Sequence, residues 1–306
     1  MKKRKPISKH KLKERLIAIS FVSPLFVGFI IFTLIPLFVA IVYSLVDYMP
    51  LRGTVKPISF DVYRSLFQTD TINADLKQSI INTLLLMISI PLNIFLGLII
   101  SGLITMRGLK CKTLYRVILY LPAVTGAVAI AFVWKLIFNE THGLANIFLK
   151  NIGIIDRNIN WLGVTDGYAY PRFVIIMKNV WGGIGGVVIL YVAGILSIPK
   201  TLYEAAEIDG ASRTRQFFSI TVPLLSPITF YLFIVSVIGG LQSFMDTQLI
   251  ANTKATQTIV YFIYNHGINN YRYGFASAAS VLLAIVVMGV TIGQFKVQDK
   301  IGQKTI

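Results

Sequence analysis

The 306-residue chain is 55% hydrophobic and only 14% charged, with a mean hydropathy of +0.70; a soluble domain carries roughly a quarter of its residues charged, so this composition excludes a soluble enzyme. The formal charge of +16 does not make a soluble nucleic-acid binder either, because such a protein spreads Lys and Arg over a hydrated surface and does not leave Leu16 to Val46 without a charge. One cysteine, Cys111, and three scattered histidines, His10, His142 and His266, supply neither a disulfide framework nor metal-ligand spacing.

A helix needs roughly 20 apolar residues to cross about 30 Å of hydrocarbon. Long intervals between charged residues therefore mark candidate spans, and six qualify after a basic tail at 1–15: Leu16 to Val46, Gln78 to Met106, Val117 to Trp134, Asn179 to Pro199, Gln216 to Met245 and Tyr273 to Phe295. The first is too long for a cleavable signal segment and continues past Pro36, so it reads as a retained helix that Pro24 and Pro36 bend. Ala255 to Tyr271 is also uncharged, but Gln257, Asn265, Asn269 and Asn270 make it too polar to span; it is expected outside, as a loop or interfacial helix. The result is an all-α polytopic membrane protein with six transmembrane helices, a single permease-like body over 16–295 and a second tail at 296–306.

Short basic loops resist translocation, so the Lys and Arg residues orient the chain. Of the 29, seventeen fall in the two tails, the 105–114 turn and the 197–215 loop, against eight in the other connections. Both termini are expected to be cytoplasmic. Arg116, Lys135, Arg172 and Lys178 sit near expected span ends, where long cationic side chains can snorkel. Retention on the inner side accounts for the basic tail without a nucleic-acid partner.

The loop at about 197–223 carries the functional signal. Pro199 discourages continuation of the incoming span, Thr201 and Glu204 have capping-box spacing, and Gly210 suits a left-handed helix end. Between them, Ala205 and Ala206 leave a shallow surface flanked by Glu204, Glu207 and Asp209, a knob suited to another protein's groove. Glu204-Ala205-Ala206, then Gly210, Ile220 and Pro223 at their spacing, resemble the EAA motif of permease subunits of binding-protein-dependent bacterial ABC importers; Val222 departs from the usual Leu but remains apolar. The wording of residues 203–212, Phe244 with Asp246, and Tyr273 to Ala278 resemble the carbohydrate-uptake, maltose-type branch.

The resemblance implies a type I ABC importer permease fold in the bacterial cell membrane. It implies a second permease subunit, forming a heterodimer, two ATPase subunits beneath, and an extracellular solute-binding protein that delivers a carbohydrate, either an oligosaccharide or a related polyol or glycerol derivative. Glu204, Ala205, Ala206, Asp209, Gly210, Ile220 and Pro223 then couple the permease to the ATPase. ATP and Mg belong to the partner subunits: a phosphate loop needs Gly, four residues, then Gly-Lys-Ser/Thr, and the nearest string, Gly97 to Gly102, continues as Leu103-Ile104 inside a span. No cofactor and no catalytic residue is expected in this chain.

Asn82, Asn93, Asn179, Tyr191 and Gln242 place neutral hydrogen-bonding groups inside or near spans, where an unpaired polar group is costly. Each reads either as an interhelical bond or as a sugar contact. Gly182 and Gly186 have the spacing of close helix packing; alternatively they widen the pathway while Trp181 stacks on a sugar face. Glu140, Asp156 and Asp166 read as solvated loop charges, and the polar segment 47–77, with Asp47, Asp61, Asp70 and Asp75, reads as an ordinary loop or a receiver for the binding protein. The rivals are an ion-coupled secondary carrier, disfavoured because the uncharged intervals hold no proton-relay carboxylate, and a membrane-embedded enzyme, for which no nucleophile-base or metal cluster is present.

Overall fold

The computed structural model describes residues 9–46, 48–50, 53–55, 58–68, 70–106 and 108–302. Lys2, Lys3, Arg4, Lys5, Arg52, Lys56, Arg107 and Lys304, used above for orientation, lie outside the described residues, as does Asp47. In chain order the helices are α1 (Lys9–Phe29), α2 (Ile35–Leu45), α3 (Asp61–Gln68), α4 (Asp70–Leu86), α5 (Ser89–Thr105), α6 (Lys112–Val124), α7 (Ala127–Ile137) and α8 (Leu144–Asn151). They continue as α9 (Ala169–Ser197), α10 (Lys200–Ile208), α11 (Arg213–Gln216), α12 (Val222–Leu224), α13 (Ser226–Leu241), α14 (Met245–Leu249), α15 (Ile259–Tyr264) and α16 (Tyr273–Gly302). One short antiparallel pair, β1 (Tyr48–Met49) with β2 (Thr54–Val55), interrupts them. Among the described residues four helical stretches are long and apolar enough to cross a membrane, Leu16–Leu45, Ile72–Thr105, Ala169–Ser197 and Tyr273–Gln298, and two bent pairs bring the number to as many as six, counting each pair as one span.

Prolines shape these spans in two ways. Pro36 lacks an N–H and would crowd the carbonyl of Phe32 in an α-helix. The preceding turn, Ile30–Leu34, widens to a π-helix closed by the Ile35 N–H on the Ile30 carbonyl, so the first span continues through the proline. The expected bend is thus a widened turn at Pro36, while Pro24 stays within α1. Pro122 accompanies a true break: Thr125 is extended and donates its hydroxyl to the Leu121 carbonyl at 2.8 Å, and α6 and α7 meet at 97°. The expected continuous helix from Val117 to Trp134 is therefore corrected to two rods of 13 and 11 residues. At about 1.5 Å per residue neither reaches across the hydrocarbon alone. The fifth span is likewise bent by 60° between residues 213–224 and Ser226–Leu241.

Elsewhere the helices outrun the uncharged intervals. α4 begins eight residues before Gln78 and α9 ten before Asn179, so Arg172 and Lys178 lie within a spanning helix. The segment read as a polar loop at 47–77 is helical from Asp61 onward, apart from residue 69, which is outside the described set.

Two compact units divide the fold: the described residues up to Gln68 with His266–Leu283, and residues from 70 to Asn265 with those from Ala284. In the first, Ser44 is buried and donates to the Ile41 carbonyl at 2.6 Å while accepting from the Tyr63 hydroxyl at 2.9 Å, tying α2 to α3. In the second, α9 is the central rod, packed on α5, α6 and α13. Lipid tails are as apolar as these helices, so close van der Waals fit holds them together more than burial does. A Cβ on Gly185 would collide with the Leu119 carbonyl, and one on Gly97 with the Val187 side chain. Gly182 and Gly186, the pair expected to pack, face open space instead; one helical residue is about 100° of rotation, so Gly185 lies on the packed face and Gly186 off it.

Asn82 fastens this unit. Its side chain is fully buried; Nδ2 donates to the carbonyls of Lys254 and Gln257 at 2.9 and 3.0 Å, and Oδ1 accepts from Gln78 Nε2 at 2.9 Å and Arg172 Nη2 at 2.8 Å. Arg172 Nε also donates to the Ala255 carbonyl at 2.9 Å. Thr83 accepts the Ile259 N–H at 3.0 Å, and Tyr261 and Phe262 of α15 are buried, so the stretch expected as a loop or interfacial helix contains a short helix packed into this unit. Asn82→Leu would leave a guanidinium and two carbonyls short of partners, at a cost of about 1–3 kcal/mol for each group. Its thermal midpoint in detergent is expected to fall well below that of Gln242→Leu, whose site is exposed; equal midpoints would refute the assignment.

The connection after α7 is ordered around a second buried amide. Asn146 donates to the carbonyls of Glu140 and Ile159 and accepts from the Trp161 indole N–H at 2.8 Å. Trp161 packs edge-on against Phe138 and Tyr170. Asp166 is not the solvated charge expected: it accepts from the Asn160 N–H at 2.7 Å and from Arg157 at 3.1 Å, with its side chain 14% exposed.

Candidate functional site

Two places bring the expected functional residues together. The first is the loop built on α10. Pro199 sets the helix start at Lys200 and no side chain caps it, so the expected capping box does not form; Thr201 is already inside the helix. The other end behaves as expected. Gly210 adopts φ +74°, its N–H meets the Glu207 carbonyl at 3.1 Å, and the Ala211 N–H reaches back to Ala206 at 2.9 Å. This paired closure needs a left-handed residue, which Gly adopts without strain.

One contact ties α10 to the helical run that follows, and a second fastens the turn between them. The Tyr203 hydroxyl lies 2.8 Å from Thr221 Oγ1, and buried Gln216 donates to the Ala211 carbonyl at 3.1 Å. The opposite face, Thr201, Glu204, Ala205 and Ile208, is exposed with helical spacing, and Ile208 is 87% exposed. Ala206 is half-buried, and Glu207 and Asp209 are exposed. Ile220 lies in a π-helical turn, Phe217–Thr221, closed by the Val222 N–H on the Phe217 carbonyl. That widening lets Pro223 continue the helical run without striking the Ser219 carbonyl. Tyr203, Ile208 and Gln216 were not singled out from sequence; an exposed Ile facing away from the chain is visible only once the helix is placed.

The second place is a cavity of about 600 Å³ between α5, α9, α13 and α14, walled also by residues of α4, α6 and α7. Of the expected pathway residues, Asn179 and Gln242 line it, with Gly182, Gly183 and Asn93. Asn93 Nδ2 donates to the Asn179 carbonyl at 3.1 Å, and its Oδ1 is buried with no donor among the described residues. The rest lie elsewhere. Asn82 is saturated as described above, and Tyr191 is fully buried, donating to Thr229 at 2.9 Å, which in turn donates to the Leu225 carbonyl. For these two the interhelical alternative is what the geometry contains. Trp181 is 46% exposed and its ring lies 6.0 Å from that of Trp134, outside the lining.

Two residues with no expected pathway role complete the cavity. Lys178, read as a snorkelling lysine, pairs with Asp246 of α14, and its Nζ also donates to Asn179 Oδ1 at 3.1 Å. The signal available in sequence was a lysine one residue ahead of Asn179 and an aspartate just past the fifth apolar interval. Nothing in their spacing, 68 residues apart, announces the pair. Arg116, Lys135, Arg172 and Lys178 all lie within helices of the spans, so the spanning helices extend beyond the uncharged intervals and carry cations. Among the described residues no group of three His, Cys, Asp or Glu could hold a metal ion.

Comparison with known proteins decides the matter. Residues 93–304 match the family of binding-protein-dependent transport system inner membrane components. The chain is 30% identical over 294 residues to the probable ABC transporter permease YesP of Bacillus subtilis, covering 93% of this chain and 91% of that one. It is 27% identical over 286 residues to the arabinooligosaccharide permease AraP of the same organism, covering 90% and 86%. A solved bacterial alginate ABC transporter, in complex with a pentasaccharide-bound periplasmic protein, superposes with a TM-score of 0.82 at 25% identity over 95% of this chain and 97% of that one. The chain therefore belongs to the binding-protein-dependent transport system inner membrane components, as a multi-pass ABC importer permease subunit and not an ion-coupled carrier.

Proposed function

We infer that this permease moves a carbohydrate inward, an oligosaccharide or a related polyol or glycerol derivative, as one of two permease subunits above a pair of ATPases that bind ATP and Mg. The observation that carries the reading is the α5–α9–α13–α14 cavity. Its wall presents amides, Asn93, Asn179 and Gln242, beside four glycines without side chains, Gly182, Gly183, Gly239 and Gly240. Its size falls in the roughly 300–1,000 Å³ range of ligand sites. A relative named for arabinooligosaccharides supports the substrate class.

In this reading the chain does no covalent chemistry. The binding protein delivers substrate, ATP closes the ATPase pair, and the loop from Glu204 to Gly210, with Ile220 and Pro223, carries that movement to the spans, which exchange inward for outward opening. Residues 16–295 form the permease body and the basic tails 1–15 and 296–306 lie in the cytoplasm. The test is uptake in vesicles. The assembled importer with its binding protein is expected to accumulate labelled oligosaccharide with ATP, undiminished by an uncoupler, whereas this chain alone hydrolyses no ATP; uptake by the lone chain on an ion gradient would overturn the reading. For orientation, with Cys111 replaced, single cysteines at Lys5 and Lys300 are expected to label only in permeabilised cells and one at Asp61 from outside. External labelling of either terminus in intact cells would reverse the topology.

A further inference from the structure

Among the described residues, two charged ones line the cavity, Lys178 and Asp246, and they neutralise each other. Their side chains are 17% and 13% exposed, so the pair is largely removed from solvent yet borders the open space. Lys178 has three donors; it uses one on Asp246 Oδ1 and one on Asn179 Oδ1. Asp246 Oδ2 accepts no hydrogen bond among the described residues, and an ionised carboxylate has about four acceptor positions. A donor and an acceptor of opposite charge are thus left side by side.

We propose that the Lys178–Asp246 pair selects uncharged, hydroxyl-rich saccharides and rejects anionic ones such as uronates or phosphate esters. The proposal rests on the carbohydrate reading above and names the class of carbohydrate. A vicinal diol meets both unused groups at once: one hydroxyl donates to Asp246 Oδ2, its neighbour accepts from the third N–H of Lys178, and the ion pair stays intact. Hydrogen bonds to ionised groups are the strong kind. An anionic saccharide has no such place. Approaching Lys178, it must either draw the ammonium off Asp246, leaving a partly buried carboxylate unpaired, or lie beside that carboxylate and meet a like charge. The amides Asn93, Asn179 and Gln242 add no net charge to offset either outcome.

The test reads binding at the cavity itself, without ATP or binding protein. In the assembled transporter in detergent, with Cys111 replaced, a cysteine at Ser236, another lining position, is labelled with a maleimide. The quantity measured is the concentration of saccharide that halves labelling, for neutral arabinotriose and for an alginate trisaccharide, a uronate of the same length. The unmutated pair is expected to favour the neutral probe. Asp246→Asn frees the lysine charge and is expected to strengthen protection by the uronate at least about tenfold, the scale of one newly available opposite charge near a protein surface. Lys178→Gln is expected to weaken uronate protection further, and the double variant, uncharged at both positions, to lose most of the neutral preference, its remaining protection by the neutral probe showing that the site still folds. Uronate protection that is the same in all four proteins, or stronger than neutral protection in the unmutated one, would overturn the proposal and leave carbohydrate transport standing. Protection by neither saccharide in any of the four would overturn the carbohydrate reading and this inference together.

Discussion

Ala205→Asp is expected to abolish ATP-driven uptake while leaving the protein in the membrane. Ala205 is exposed on the face of α10 that also carries Glu204 and 87%-exposed Ile208. If it presses into an ATPase groove, the new carboxylate becomes an unpaired buried charge. That costs about 3–5 kcal/mol, a loss of affinity of roughly 100-fold or more. Ile208→Ser is expected to act in the same direction more weakly, by the roughly 1.5–3 kcal/mol of one buried aliphatic side chain. Gly210→Val tests the turn instead of the face: at φ +74° a β-branched residue is strained, and the closure onto Ala206 and Glu207 is disrupted. The measurements are uptake and co-purification of the ATPase, with Lys300→Ala as a control. Normal uptake and normal ATPase retention in all three would remove this loop as the coupling element.

Gly185→Ala is the second large effect expected, and it separates packing from composition. A Cβ there would strike the Leu119 carbonyl and come within 2.8 Å of Tyr120 Cα. These are backbone atoms that cannot swing aside, so α6 and α9 must part along their contact. Overpacking of this kind costs about 1–3 kcal/mol and more where backbone must move. Gly186→Ala, one residue on, meets nothing within 4 Å and is expected to be neutral or slightly stabilising, since Ala is the better helix former by roughly 0.5–1 kcal/mol. Thermal midpoints of the two purified variants check this. Equal midpoints, or a less stable Gly186→Ala, would show that the α6–α9 approach is not as drawn.

The sequence by itself determined the helical membrane class, the positions of the six apolar intervals and the short helix ending at Gly210, because each of these is set locally. An uncharged run long enough for the bilayer has few other uses, and a left-handed helix end favours one residue type. The same locality explains the failures. A charge census sees where charged residues stop, not where hydrogen bonding stops, so α4 and α9 were read too short by several turns between them. It could not see that Thr125 would cap Leu121 and break the third span. Only the tertiary structure decided which glycines touch, since Gly185 and Gly186 differ by a rotation about α9 that no pattern of four-residue spacing resolves. It also decided the fate of the polar residues. Asn82 and Asn179 are alike in sequence terms, an amide in an apolar helix. One is surrounded by carbonyls and Arg172 from segments some 90 to 175 residues away; the other faces a cavity beside an ion pair whose members are 68 residues apart. Those partners are assembled by the packing of α4, α9 and α14, and long-range packing is the information that local periodicity and charge do not contain.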